Sequence, residues 1–275
     1  VRKLSVSRNR LLKAYPDNIK QIAFLATLDD TSPHPTWLAA LGAAAYWGIG
    51  GFRTHRPRHL SAEEIEALEP VVRTENSVGG IQYYDAYLPD NDSRFVFGFV
   101  RSAIDVGATA ANYVEAVHAE PDGDRWNVTL KDVDGGGEAF TCSARILINA
   151  AGPFVDAVNF DLDVRTRHRI VYSKGIHLIV PQITPNHRVL AFYDDTQRLF
   201  YVIPMGRRSV IGTTDTRVDS PFTEVTDEDR DFLLDQINSR LDLDRPLTRD
   251  DIIADRTGVR PLVVTSDGDA GEGVD

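Results

Sequence analysis

The chain has 275 residues, 42% apolar and 26% charged, which is enough hydrophobic mass for one large domain or two ordinary ones. Its net charge of −11 argues against a general nucleic-acid role, because a phosphate backbone is met by a basic surface. No apolar run reaches the ~18–20 residues of a membrane-spanning helix. The single cysteine, Cys142, excludes an internal disulfide and a multi-cysteine metal site.

Of 30 basic residues five are lysines, leaving 25 arginines, an acidic and Lys-poor balance that fits either a salt-rich habitat or a GC-rich genome. No secretory leader is visible, and the lone cysteine fits a reducing compartment. The sequence begins without Met and closes on SDGDAGEGVD, so both ends are expected to be those of a fragment of something longer.

In chain order, residues 1–70 read as helical and irregular. WLAALGAAAYW (37–47) is the most apolar stretch and reads as a core helix rather than a docking surface. SAEE at 61–64 has the Ser-x-x-Glu form of a capping box, so a helix starts after Ser61. GGIQYYDAYL (79–88) reads as a strand, and Asp92 caps a helix with Phe95, Phe99, Val100 and Ile104 on one side. ANYVEAVHAE, RWNVTLKDV and AFTCSARILINA are three further strands, the last two joined by the turn DGGGE; Cys142, in the third, reads as a small core residue. RIVY, GIHLIVP, HRVLAFYD, RLFYVIP and SVIGTTD are five short strands. Thr226 caps the helix DEDRDFLLDQINSRL, whose acidic first turn and Arg240 near its end suit the helix dipole. DIIAD and TGVRPLVV read as strands. The mixed order predicts an α+β fold rather than strict βαβ alternation.

Four stretches carry candidate chemistry. In RILINAAGPFVDAV (145–158) an apolar run meets Ala150, Ala151 and Gly152, then a helix, a form that lets backbone approach a phosphate; a tight turn needing no ligand has the same spelling. No G-x-G-x-x-G occurs, and GIGGFR (48–53) fails that pattern at Arg53. YSKGIHLIV places Lys174 and His177 around Gly175, offering a fixed charge and an acid–base group, although a lone His entering a strand is more often structural. IGTTDT ends an apolar strand on Thr213 and Thr214, which suit a polar ligand or a local turn. In TGVRPLVV, Arg260 stands in apolar surroundings and needs a partner, either an internal acid or an anionic substrate gripped through two parallel bonds. Arg198 in a hairpin is a weaker case. No Ser-His-Asp or Cys-His arrangement, HExxH or EF-hand loop is present, and no metal site is expected.

Together LSAEEIEALEP, GGIQYYDAYLPD, NYVEAV, INAAGPFVDAV, SKGIHLIVP, RLFYVIP, GRRSVIGTTDT, DEDRDFLLDQIN, LTRDDI and TGVRPL resemble, in order and over residues 60–264, the FAD-dependent glycerol-3-phosphate dehydrogenases of the D-amino-acid-oxidase-like flavoprotein group, truncated here at both ends. The resemblance implies a partial FAD-binding domain (mixed sheet plus helices) interleaved with an antiparallel-sheet substrate cap. Residues 1–90 would be a helical segment with one cap strand, 91–163 part of the FAD domain, 164–255 the cap, and 256–275 the return to the FAD domain.

It also implies oxidation of sn-glycerol 3-phosphate to dihydroxyacetone phosphate by hydride transfer from C2 to FAD, with electrons passed to a quinone or another acceptor. An amino-acid or hydroxy-acid oxidoreductase, or a non-catalytic ligand-binding relative, are the alternatives. Arg260 matches the catalytic Arg of the family's G-x-R-P motif and would hold substrate oxygens. Lys174, His177, Arg198, Thr213 and Thr214 would line the cap side of the substrate pocket, and Ala116, Ala150, Ala151, Gly152 and Gly258 would contact the cofactor. Met205 and Phe154 stand where members often carry Trp. With the fingerprint unit and further basic residues expected beyond the two ends, the 275 residues alone are expected to bind FAD poorly and to be inactive. A cytoplasmic location is implied, with peripheral association of the full-length protein at the inner face of the cell membrane, although the acidic balance opposes broad attraction to anionic lipid.

Overall fold

The computed structural model describes residues 1–194 and 196–265. The tail SDGDAGEGVD, and with it the end of the expected 256–275 segment, lies outside the described residues. The elements are α1 (Arg2–Ala14), β1 (Lys20–Asp29), α2 (Thr36–Ile49), β2 (Arg58–Leu60), α3 (Ala62–Leu68), β3 (Ser77–Tyr87), α4 (Asn91–Asp105), β4 (Val114–Asp122), β5 (Arg125–Asp132), β6 (Ala139–Ala144), α5 (Val155–Asp161), β7 (His168–Pro181), β8 (Arg188–Tyr193), β9 (Leu199–Met205), β10 (Arg208–Gly212), β11 (Thr216–Val218), α6 (Asp227–Arg240) and β12 (Ala254–Thr265). They form two units. Unit 1 comprises residues 1–96, 175–215 and 224–257; unit 2 comprises 97–174, 216–223 and 258–265 of the described chain. The first therefore takes in six residues beyond 90, and the chain changes units inside α4, β7 and β12 rather than at their ends.

Unit 1 is built on a mixed sheet in the order β7-β10-β9-β8-β1-β3-β2. All neighbours are antiparallel except β1 and β8, which run parallel from Ala23 against Arg188 to Ala26 against Ala191. One face is covered by α3 and α6, and between them lies the core of Leu25, Leu60, Ile65, Ile176, Leu190, Phe200, Ile211 and Ile237 with their neighbours. Each fully buried Leu or Ile contributes roughly 1.5–3 kcal/mol, so this layer dominates the unit's stability. Both covering helices start on capping boxes: the Ser61 hydroxyl accepts from Glu64 N at 3.3 Å, and Thr226 accepts from Asp229 N at 3.2 Å, with each acid returning to the cap's N–H.

Four expectations for these elements fail. Lys20–Asp29, read as helical or irregular, is a central strand whose buried residues Ile22, Leu25 and Leu28 recur every third position. Neighbouring strands on both sides and cover on both faces produce that spacing, which imitates a helix. The 37–47 helix exists within α2 but has no buried residue, and Trp37 is 67% exposed. It is tied down instead by polar handles: Tyr46 donates to Asp85 at 2.6 Å and Trp47 Nε1 to Thr54 O at 2.8 Å. Arg8 completes that knot, reaching Tyr46 at 2.7 Å and Asp85 at 3.1 Å. DIIAD is a strand only at Ala254 and Asp255, which open β12; residues 249–251 make one 3-10 turn closed by Thr248 and Asp251. RIVY and GIHLIVP form the single strand β7, because Gly175 continues the extended chain without a break.

Unit 2 holds a separate three-stranded antiparallel sheet, β4-β5-β6, with the part of α4 from Phe97 onward, α5 and the short β11, which pairs with Tyr172–Lys174 of β7. A mixed sheet and a separate antiparallel sheet, with helices, make up the expected α+β composition. Three local expectations are corrected here. Cys142 is exposed, not core, because β6 is an edge strand of a small sheet. Residues 145–150 carry no strand; no neighbour among the described residues supplies them with a ladder, and Ile146 and Ile148 project outward. Asn91 rather than Asp92 closes the first turn of α4, its Oδ1 accepting from Arg94 N at 3.2 Å.

Candidate functional site: a small-residue bend and an apolar cavity

In unit 2 the stretch NAAGP makes a bend whose geometry is held by one side chain. Asn149 Nδ2 donates to Val155 O and to Asn159 Oδ1, both at 2.9 Å, while its Oδ1 accepts from Ala151 N at 3.2 Å. The amide thus staples the bend to the first turns of α5. Gly152 follows with φ of +56°, a left-handed conformation that suits glycine, and the space where a Cβ would point is open. Pro153 then opens the 3-10 turn that leads into α5, its missing N–H costing nothing there.

The bend walls a cavity of 210 Å³ lined by Ala116, Val117 and His118 of β4, by Ile148, Asn149, Ala150 and Ala151, and by Val158 and Asp161 of α5. The lining is mostly small or apolar. A whole ligand site typically measures ~300–1,000 Å³, so this cavity takes one ring system rather than an entire dinucleotide. The lining suits part of a flavin nucleotide at that scale: apolar walls, alanines that permit close approach, and the polar groups of Asn149, His118 and Asp161.

Of the expected cofactor residues, the structure gathers Ala116, Ala150 and Ala151 around this one cavity, though they lie more than thirty positions apart in sequence. Gly152 adjoins the lining without belonging to it. Gly258 and Arg260 sit on β12 and are not part of that wall; Arg260 is half-buried, and Gly258 is exposed with open space at its Cβ position. Lys174 is buried on β7. The sequence pattern did not single out Asn149, His118 or Asp161. For Asn149 a signal existed, since an Asn before small residues commonly organises a turn through its side chain.

The remaining expected residues lie in unit 1. His177 on β7, Gly212 on β10 and Tyr201 on β9 stand in one row across the sheet, as Gly212 is opposite both of the others. A Cβ at Gly212 would meet His177 Cδ2 at 2.6 Å, so the glycine makes room for the imidazole to lie against the strand. Tyr201 belongs to an aromatic group with Phe24, at 6.2 Å, and Phe24 stacks on Tyr83 at 5.1 Å. Burial, with Tyr201 and Asp85 nearby, holds the Tyr83 hydroxyl well above its usual range; burial, with Tyr193, raises that of Tyr201. Both remain neutral hydroxyls. Gly212 and the tyrosines were not among the expected site residues, because a row across three strands is fixed by register and not by local spacing.

Thr214 is buried, and its hydroxyl accepts from Ile176 N at 3.1 Å. The Thr213 hydroxyl donates to Thr214 O at 3.0 Å. Arg198 is an exposed hairpin residue, 3.5 Å from the Asp215 carboxylate. These three are engaged within the fold, and Arg198 is the most fully solvated of the expected substrate residues. Among the described residues no cluster of three His, Cys, Asp or Glu is placed to hold a metal ion, and no helix is long and apolar enough to cross a membrane.

Comparison with known proteins adds family-level evidence. Residues 21–274 match the model of the FAD dependent oxidoreductase family (DAO). The aerobic glycerol-3-phosphate dehydrogenase of Staphylococcus aureus (strain USA300) is 33% identical over 242 residues, which are 85% of this chain and 42% of that protein. The glycerol-3-phosphate dehydrogenase of Bacillus halodurans, solved with FAD, superposes with a TM-score of 0.77 at 25% identity, over 95% of this chain and 48% of the other. The L-alpha-glycerophosphate oxidase of Mycoplasma pneumoniae, with FAD bound, shares the fold at a TM-score of 0.72 and 16% identity, over 95% of this chain and 68% of that one. The chain therefore spans less than half the length of the curated relatives it matches.

Proposed function

The chain belongs to the FAD-dependent oxidoreductase family, and from that premise we propose that it serves the oxidation of sn-glycerol 3-phosphate to dihydroxyacetone phosphate, with a quinone as the final electron acceptor. The observation that carries this reading is the alanine-lined cavity at the bend after Ile148, which draws Ala116, Ala150 and Ala151 from separate parts of the sequence. When bound, FAD supplies the two-electron acceptor for the hydride leaving C2.

The chain's own residues supply binding and charge. Ala116, Ala150 and Ala151 admit the edge of the nucleotide, and Asn149 keeps the bend from collapsing into that space. Gly152 and Gly258 leave backbone open to close approach. Arg260 offers a planar guanidinium that can take two substrate oxygens in parallel and stabilise the negative charge developing at the C2 oxygen. Within unit 1, His177 offers an acid–base imidazole, its ring placed by Gly212. Unit 2 also offers Lys174 as fixed positive charge, and unit 1 offers Thr214 as a hydroxyl donor, Thr213 as a hydroxyl acceptor and Arg198 as an outer contact. Peripheral docking at the inner face of the cell membrane is the arrangement that would bring a quinone within reach, and the exposed apolar side of α2 is the surface offered for it.

A turnover panel with the natural protein tests the substrate. Glycerol 3-phosphate should be oxidised at least ~100-fold more efficiently than unphosphorylated glycerol, because loss of the phosphate removes charge-assisted bonds worth ~1.5–3 kcal/mol each. Preference for an amino acid or a hydroxy acid would overturn the assignment, and a soluble quinone that fails to accelerate turnover would overturn the acceptor.

A further inference from the structure

A second polar pocket, within unit 1 and on the helix-covered side of its sheet, has no part in the reading above. It measures 50 Å³ and lies where α6 ends against β1, with Thr27, Asp29, Arg73, Ser239 and Arg240 in its lining. One ordered water needs ~10–15 Å³, so the space accepts a group of several atoms.

Its chemistry is unbalanced towards donors. Arg240 spends one guanidinium nitrogen on Asp29 and another, at 2.8 Å, on Tyr193 O, while its Nε is buried without a hydrogen-bond partner among the described residues. The Thr27 hydroxyl is likewise buried and has no hydrogen-bond partner among the described residues. Arg73 donates once, to Leu241 O at 3.2 Å, and forms no ion pair among the described residues. An arginine nitrogen can only donate, so these groups can be satisfied together only by an acceptor.

Two features oppose an anion here, and both are already neutralised. Asp29 accepts from Thr31 N at 3.0 Å, from the Thr31 hydroxyl at 2.8 Å and from the Ser32 hydroxyl at 3.0 Å, besides Arg240. Part of the negative end of α6 is taken as well: Arg240 O accepts from Arg73 N at 3.0 Å, and at the cap Leu241 O accepts from the Arg73 side chain. Two guanidinium groups against one carboxylate leave the lining net positive.

We propose that this pocket is a binding site for a small tetrahedral oxyanion, inorganic phosphate or sulfate, held by Arg240 Nε, the Thr27 hydroxyl and the Arg73 guanidinium. The ligand locks the C-terminus of α6 to β1. The inference does not depend on the substrate reading, because none of these residues belongs to it.

The test is thermal unfolding of the natural protein with inorganic phosphate against chloride at matched ionic strength. Phosphate at a tenfold excess over its dissociation constant should raise Tm by on the order of 3 °C. Thr27→Val, which keeps the side-chain shape and removes the orphan hydroxyl, and Arg73→Ala should each lose most of that rise, whereas Arg260→Ala should keep it. Glucose 6-phosphate, too large for the pocket, should give none of the Thr27-dependent rise. A rise that chloride reproduces, or one that survives both Thr27→Val and Arg73→Ala, would overturn the proposal. A rise lost only in Arg260→Ala would assign the phosphate effect to the substrate site instead.

Discussion

In unit 1, Leu25, Leu190, Ile211 and Ile237 are wholly shielded between sheet and helices, whereas in unit 2 Ala119 and Val128 are the only buried apolar side chains among the described residues. Ile148, on the wall of the nucleotide-sized cavity, is itself 79% exposed. Unit 1 is thus held by hydrocarbon, and unit 2 by a short antiparallel ladder and by the hydrogen bonds of Asn149. The contrast separates two tasks. A rigid sheet fixes His177, Gly212 and Tyr201 in register, while a lightly packed unit keeps a cavity open beside small residues. Regions with few buried contacts open at lower free energy, and binding a ligand that contacts only the folded form stabilises them by mass action.

The contrast can be sharpened at Arg260. Arg260→Ala should lower kcat/KM for glycerol 3-phosphate in the natural protein by ~100–1,000-fold while leaving Tm nearly unchanged, and Arg260→Lys should recover part of the activity because it keeps charge but not the planar fork. Steady-state kinetics and a melting curve on the same samples decide it. A large fall in Tm would show that Arg260 is structural.

Paired truncations probe packing directly. Ile237→Ala in the core of unit 1 should cost ~2–5 kcal/mol of unfolding free energy, whereas Ile148→Ala should stay within about 0.5 kcal/mol. Denaturant titrations that return equal losses would break the comparison between the units. A smaller effect is expected at the helix cap: Thr226→Ala should cost ~1 kcal/mol, because Asp229 N then loses its acceptor, and Thr226→Ser should restore it.

The smallest effect concerns acid. Burial alone would raise the Asp29 carboxyl, but bonds from Thr31 and Ser32 and the Arg240 charge outweigh it and hold it below its usual range. A carboxyl depressed in the folded state contributes stability that is present above its unfolded value of ~3.9 and is lost as pH falls through the lower folded value. Wild type should therefore lose stability more steeply than Asp29→Asn below about pH 4. Parallel acid titrations of the two would contradict the assignment.

Local chemistry was legible in the amino-acid sequence and register was not. The capping boxes at Ser61 and Thr226 are four-residue signals and both form. The bend after Asn149 was readable because Ala150, Ala151, Gly152 and Pro153 are consecutive. Strand β1 was hidden because burial on both faces placed Ile22, Leu25 and Leu28 at helical spacing. Helix α2 misled in the opposite direction, since an uncharged run reads as core whatever its neighbours, yet its long side chains remain exposed. The His177–Gly212–Tyr201 row depends on three strands meeting, and no window along one strand contains that information.

Anaerobic addition of glycerol 3-phosphate to the natural, FAD-loaded protein tests the functional reading most directly. The visible flavin band should bleach stoichiometrically with glycerol 3-phosphate, remain unchanged with glycerol, and bleach far more slowly in Arg260→Ala. A band that glycerol 3-phosphate leaves intact, while an amino acid or hydroxy acid bleaches it, would contradict the account.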